Sequence, residues 1–159
     1  MSKAIIVCGM NGSGKTVLAE ELAKHFNKPY YHSGLGPNSS LELLSCLNEQ
    51  IAMINSGVIL DRTTLFSEQV YGNNKIINNM FLDNLARELS DKYILIYCNH
   101  IGEIILKDKY SESHKVQLIR DNILLRERYN EVMAFHNVIY YDYDIYDVYC
   151  IINKIKERL

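Results

Sequence analysis

Near its start the chain runs Lys3-Ala4-Ile5-Ile6-Val7-Cys8 directly into Gly9-Met10-Asn11-Gly12-Ser13-Gly14-Lys15-Thr16. A short apolar run of this kind suits a central strand buried on both faces. Beyond Thr16, Leu18, Leu22 and Phe26 recur at helical spacing, so residues 15–26 are predicted to be a helix. A buried strand that turns through glycines into an amphipathic helix leaves few folds open. The strand needs parallel neighbours on both sides, and the helix must pack back across the sheet.

Gly9 to Thr16 fits the pattern GxxxxGK[ST] in full. Its glycines let the backbone turn tightly, so that successive N–H groups point inward at phosphate oxygens. The helix that follows adds the positive end of its dipole. Lys15 is expected to bridge the β- and γ-phosphates of ATP, and the Thr16 hydroxyl to coordinate Mg²⁺. Asn11, Gly12, Ser13 and Gly14 complete the cradle.

Composition narrows the setting. A chain of 159 residues, 48% hydrophobic and 23% charged, fits one globular domain over residues 1–159 and not a disordered chain. A net charge of −2 gives no general attraction to nucleic acid or to a membrane. No stretch approaches the ~18–20 apolar residues of a membrane span, so no membrane partner is expected. Cys8, Cys46, Cys98 and Cys150 lie far apart without a CxxC or metal-ligand spacing. Cys8 and Cys98 sit in apolar runs and read as buried thiols. A soluble, reducing, cytoplasmic setting is expected.

The remaining chain alternates strand and helix signals. Residues 30–32 read as a short second strand. Ser39 or Ser40 then caps a helix with Leu43, Leu44, Leu47, Ile51 and Ile54 on one side. Val58-Ile59-Leu60 is a third strand ending at Asp61, followed by a helical region whose later apolar face is Phe81, Leu82, Leu85 and Leu89. Residues 93–98 make the fourth strand. A helix over about 114–135 is expected to bury Leu118, Ile119, Leu125, Tyr129 and Val132. Residues 138–141 make the last strand, and a final helix is expected to bury Ile145, Val148, Ile152 and Ile155.

Such alternation implies an α/β domain with a parallel sheet covered on both faces. Ligands in these sheets bind beyond the carboxyl ends of the strands. That rule gathers Gly9–Thr16, the segment 32–36, Asp61-Arg62, His100 and Asp142–Asp144 around one crevice. Asp61 can hold a magnesium-bound water or accept a proton from an acceptor hydroxyl. Arg62 is shaped to grip an acceptor phosphate through two parallel hydrogen bonds. Phe66 and Tyr71 flank Ser67-Glu68, and Tyr71 can stack on an acceptor base. Lys107, Lys109, Lys115 and Arg120 are candidate lid cations in a short lid around residues 102–120. Interleaved acids allow a plain solvated helix face there instead. His32 and His100 each follow a strand and can face the crevice.

Gly9–Thr16, Asp61-Arg62 and Ser67-Glu68-x-x-Tyr71-Gly72 together resemble the thymidylate-kinase-like and deoxynucleoside-kinase-like P-loop kinases, above all the short bacteriophage forms. The resemblance implies a three-layer P-loop NTPase fold with five parallel strands in the order 2-3-1-4-5. It implies ATP and Mg²⁺ as cofactors, with Thr16 and Asp61 on the metal side. Lys15, Asp61 and Arg62 become the catalytic set, with Arg62, Phe66, Glu68 and Tyr71 beside the acceptor. Where thymidylate kinases carry an Arg-Glu-Pro-Gly-Gly-like segment and deoxynucleoside kinases a Glu-Pro, this chain has His32-Ser33-Gly34-Leu35-Gly36-Pro37, with neither arginine nor acid.

Two thymidine-related acceptors follow from the resemblance. One is the hydroxymethyl group of 5-hydroxymethyluracil in DNA, and the other is a deoxynucleoside monophosphate. The departure after strand two favours the first; the net charge favours the second. A small-metabolite kinase and a non-catalytic nucleotide-binding module are the rivals. A guanine switch is disfavoured because Cys98-Asn99-His100-Ile101 lacks an Asn-Lys-x-Asp segment. Pairing of two copies is left open.

Overall fold

The computed structural model describes residues 2–33, 37, 39–72, 79–100 and 111–159. Strand β1 (Ala4–Gly9) is buried along its whole length and lies in the middle of a five-stranded sheet. Its neighbours are β3 (Ile59–Asp61) and β4 (Tyr93–Cys98), with β2 (Tyr30–His32) and β5 (Val138–Tyr141) at the edges. The order is β2-β3-β1-β4-β5, and every pairing is parallel, as expected.

Alternation along β1 sends side chains to two separate cores. Ile5 and Val7 meet Leu18, Ala19 and Leu22 of α1 (Lys15–Phe26) and Ile151, Ile152 and Ile155 of α6 (Val148–Arg158). Ala4, Ile6 and Cys8 face the opposite layer of α2 (Ser40–Asn55), α3 (Thr64–Tyr71), α4 (Asn79–Glu88) and α5 (Glu112–Met133). Each fully buried Leu or Ile stabilises this arrangement by about 1.5–3 kcal/mol before entropy is counted. Cys8 and Cys98 are buried free thiols, and burial pushes Cys8 up to about 12.

Four apolar assignments are corrected. Ile145 is 64% exposed and precedes α6, which starts only after the Asp147 cap accepts a hydrogen bond from the Cys150 N–H at 3.0 Å. Ile119 is 42% exposed, whereas Tyr129 and Met133 are the buried residues of α5. A helix this long spans about 33 Å, and only its C-terminal half reaches the core. Leu44 and Phe81 are likewise exposed, one position off the buried stripes of α2 and α4. Among the described residues, no helix is long and apolar enough to cross a membrane.

Of the expected lid, residues 101–110, with Lys107 and Lys109, lie outside the described residues. Lys115 and Arg120 sit in the first turns of α5, where Lys115 pairs with Glu112 at 3.6 Å.

Candidate active site

The carboxyl ends of β1 and β3 lie side by side because the register sets Val7 opposite Asp61. From β1 the chain turns through Gly9–Thr16. Gly12 and Gly14 take φ of 79° and 81°, left-handed values that strain other residues. A Cβ on Gly9 would stand 2.7 Å from the Cys98 carbonyl oxygen. Ser13 Oγ donates to the Met10 carbonyl at 2.6 Å and ties the loop upon itself. Helix α1 opens with no capping side chain and no acid in its first turn, so its first N–H groups are suited to an anion. Lys15 is only 6% exposed; burial and then the Arg62 charge push its ammonium below its ordinary value, against Asp61.

Asp61 is the hub. Fully buried at the end of β3, it accepts on Oδ2 from Thr16 Oγ1 at 2.7 Å and Tyr30 OH at 2.8 Å. The ring of His32 brings Nδ1 to the same oxygen at 2.9 Å. Burial alone would raise the carboxyl, but these hydrogen bonds and the Lys15 charge outweigh it and hold Asp61 below its ordinary value. Its second oxygen, Oδ1, is buried and has no hydrogen-bond partner among the described residues. An orphaned carboxylate oxygen beside the Thr16 hydroxyl fits the all-oxygen ligand preference of Mg²⁺. Thr16 and Asp61 are therefore the residues suited to hold it.

On the far side of Asp61 lies a cleft of about 250 Å³. Tyr31, His32 and Ser33 come from the end of β2, and Cys46, Glu49, Gln50 and Met53 from α2. Arg62, Thr64, Ser67, Glu68 and Tyr71 come from the β3–α3 junction and from α3. Positions 64, 67, 68 and 71 share one face of α3, at spacings of three and four. Leu65, Phe66 and Val70 occupy the opposite, core face. The acceptor role expected for Phe66 is thereby corrected: its ring is 0% exposed and packs edge-on against Tyr93 and His136.

Arg62 adopts φ 72°, unusual for a residue with a side chain and costing about 1–3 kcal/mol. Its N–H donates to the Val7 carbonyl at 2.8 Å, and its guanidinium lies 5.2 Å from the centre of the Tyr71 ring. Gln50 braces the same wall. Its Oε1 accepts from the Thr64 N–H at 2.7 Å, and its Nε2 reaches Thr64 Oγ1 at 3.0 Å and Ser33 Oγ at 3.2 Å. Gln50 thus satisfies the start of α3, where Thr63 makes no side-chain cap.

Across the phosphate loop, His100 sets Nδ1 3.0 Å from Asp142 Oδ1 and stacks on Tyr143 at 4.2 Å. Tyr143 in turn lies against Gly14, where an added Cβ would come within 3.0 Å of the ring. Arg126 donates to the His100 carbonyl at 2.8 Å. The donor atoms of His100, Asp142 and Asp144 all lie within 4.8 Å of one another, a set that could hold a metal ion.

Sequence reasoning missed Tyr30, Glu49 and Gln50. Tyr30 and His32 share one face of β2 by alternation, which was a usable signal. Gln50 interrupts the buried stripe Leu43, Leu47, Ile54, and a polar residue there was the clue.

No protein-family model matches the chain. Among curated proteins it is similar to the signal recognition particle 54 kDa protein of Pyrococcus furiosus, 26% identical over 139 residues. That match takes in 82% of this chain, and the chain spans about 30% of that protein's length. Among solved structures it is similar to the YorR protein of Bacillus subtilis in complex with phosphorylated GDP. The TM-score is 0.75 at 22% identity, over 97% of this chain and 94% of the other. Deoxyadenosine kinase from M. mycoides with bound dATP aligns with TM-score 0.56 at 16% identity, over 96% and 99% of the two chains. Thymidylate kinase from Candida albicans aligns with TM-score 0.54 at 14% identity, over 98% and 90%. These likenesses are of fold: the chain has the architecture of P-loop kinases.

Proposed function

We propose that this chain is a phosphotransferase that moves the γ-phosphoryl group of ATP to a nucleoside-type acceptor held in the cleft beside Asp61. One observation carries the reading. The Thr16–Asp61 hydrogen bond joins the phosphate loop to the end of β3, and the neighbouring cleft is lined by Arg62, next in the chain to Asp61, and by His32, which reaches the same Asp61 oxygen. The kinase fold of the structural neighbours supports it.

In this reading the loop N–H groups and Lys15 grip the phosphates, and a buried ammonium is worth more there than in water. Magnesium, when bound, supplies further neutralisation of charge on the transferring group. Thr16 and the free oxygen of Asp61 would hold it. Asp61 serves this side better than it serves as a base. One of its oxygens already faces three donors, and its depressed pKa makes it a weak proton acceptor. Arg62, pinned by its backbone and by Tyr71, orients the acceptor.

The test is transfer of radiolabelled γ-phosphate from ATP with Mg²⁺ to a panel of acceptors. Deoxynucleosides, their monophosphates, an oligonucleotide containing 5-hydroxymethyluracil, and shikimate and gluconate would be compared. Labelling of any nucleoside-type acceptor supports the reading. ATP binding without transfer to any of them would replace it with a nucleotide-binding module, and label on a small metabolite alone would overturn the acceptor class.

A further inference from the structure

Beyond the ends of β4 and β5 the fold gathers a second set of ligating side chains, apart from Thr16 and Asp61. The parallel register sets Cys98 opposite Tyr141, and the Asn99 N–H donates to the Tyr141 carbonyl at 2.9 Å, one residue past the end of β4. His100 and Asp142 are thereby brought together, and Asp144 follows two residues on. We infer that His100, Asp142 and Asp144 form a binding site for a first-row divalent transition ion, Zn²⁺ in the first place, separate from the residues suited to Mg²⁺.

The spacing of the donor atoms carries the inference. His100 Nδ1 stands 3.0 Å from Asp142 Oδ1 and 3.6 Å from Asp144 Oδ2, and the three donor atoms lie within 4.8 Å of one another. Two ligands held about 2.0–2.2 Å from one zinc ion, at angles of about 90–110°, stand about 2.8–3.6 Å apart. A hydrogen bond alone accounts for less. One Nδ1–H can serve the nearer carboxylate, but 3.6 Å is beyond hydrogen-bond reach for the second. Two carboxylates this close repel each other, and a cation among the three donors offsets that repulsion.

The mixed donor set selects the ion. An imidazole nitrogen suits Zn²⁺ and its first-row neighbours, whereas Mg²⁺ takes oxygen ligands. Three protein ligands leave the fourth tetrahedral position to water. The ligands are also oriented from behind. The His100 ring stacks on Tyr143 at 4.2 Å, and the His100 carbonyl accepts from Arg126 Nη2 at 2.8 Å. Asp142 is buried and Asp144 exposed, so the site has a path from solvent. Tyr143 lies between two of the ligands in the chain and against Gly14, so a bound ion would fix the turn after β5 beside the phosphate loop.

The test is calorimetric titration of the full chain with Zn²⁺, with Mg²⁺ in large excess to occupy oxygen-only sites. One zinc per chain is expected on these residues in wild type. Asp144→Asn and His100→Ala should each weaken binding by on the order of tenfold or more, the loss that even an outer-shell change brings. Asp144 is exposed, so Asp144→Asn keeps the fold and carries the test should His100→Ala fail to fold. Zn²⁺ should also raise the unfolding midpoint of wild type by several degrees, and that of Asp144→Asn by less.

A spectroscopic reading locates the ion. With ¹⁵N labelling, the ring nitrogens of His100 should shift on zinc binding, because Nδ1 is the ligand. Unmoved His100 resonances, no binding by wild type, or binding that neither variant weakens each overturn the inference. The last would place zinc on other donors, such as the thiols of Cys46 and Cys150. None of these outcomes touches the phosphotransfer reading, which rests on other residues.

Discussion

The phosphate loop and the neighbouring cleft are linked through Asp61, which bonds Thr16 of the loop and His32 of the cleft wall, yet they are assembled by opposite means. The loop is eight consecutive residues, Gly9 to Thr16, shaped by glycine dihedrals and by the hydrogen bonds of the Ser13 hydroxyl and N–H to the Met10 carbonyl. The cleft draws on β2, α2, β3 and α3, from Tyr31 to Tyr71, and is held by tertiary hydrogen bonds through Gln50. A site made from consecutive residues serves any reaction that begins with a bound phosphate chain. A site made from distant ones can change its acceptor by changing single side chains, without disturbing the loop. Damage to the loop should therefore abolish transfer to every acceptor alike. Damage to the cleft should change selectivity or stability.

The largest effect expected is from Lys15→Ala. Removing a buried donor aimed at developing negative charge should lower kcat by at least on the order of 10²–10³-fold. The loss should be equal for all acceptors, with the fold retained by circular dichroism. Unequal losses would break the division between the two regions.

Asp61→Asn belongs to both regions and should also cost transfer heavily while sparing most ATP affinity. At neutral pH it should lose about 1–3 kcal/mol of stability, since an amide cannot serve the same donors and carries no charge to offset Lys15. The pH dependence gives the sign. Asp61 has a depressed folded value, so its ionised form stabilises fully above the unfolded carboxyl value of about 3.9. That contribution disappears as pH falls from there through the folded value. Urea unfolding of wild type and variant should accordingly converge as the pH drops below about 4. A gap that stays constant would remove the ionised network from the account.

Gln50→Leu sharpens the comparison from the cleft side. It leaves the Thr64 N–H without its acceptor and should cost about 1–3 kcal/mol. KM for the acceptor should rise while ATP binding, followed by calorimetry, stays unchanged. Tyr30→Phe removes one of the donors to Asp61 Oδ2 and keeps the ring, so about 0.5–1.5 kcal/mol is expected by chemical denaturation. The phenol is pushed up to about 12 by burial and then by Asp61, so it remains a donor throughout the neutral range.

Reading of the sequence reached furthest where structure is local. The bounds of α1 and the strands at 30–32, 93–98 and 138–141 agree with the structure, because their periodicity and buried neighbours agree. It reached less far along α5, where an apolar residue such as Ile119 follows the helical period but projects beyond the core. Phe66 shows the same limit within the site. Next to Ser67-Glu68 in the chain, it lies on the core face of α3, since neighbouring residues on a helix point about 100° apart.

The order of residues alone was enough for the phosphate loop, the parallel sheet and the place of Asp61 at a strand end. Backbone N–H groups recognise phosphate, and their directions follow from local dihedrals that glycine permits and sequence displays. The union of Tyr30, His32 and Thr16 on one carboxylate oxygen and the Gln50 brace were decided in three dimensions. They depend on parallel registers such as His32 beside Asp61, and on which face of α2 and α3 turns inward. Such long-range pairings are settled by the packing of the whole core, and no short stretch of sequence encodes them.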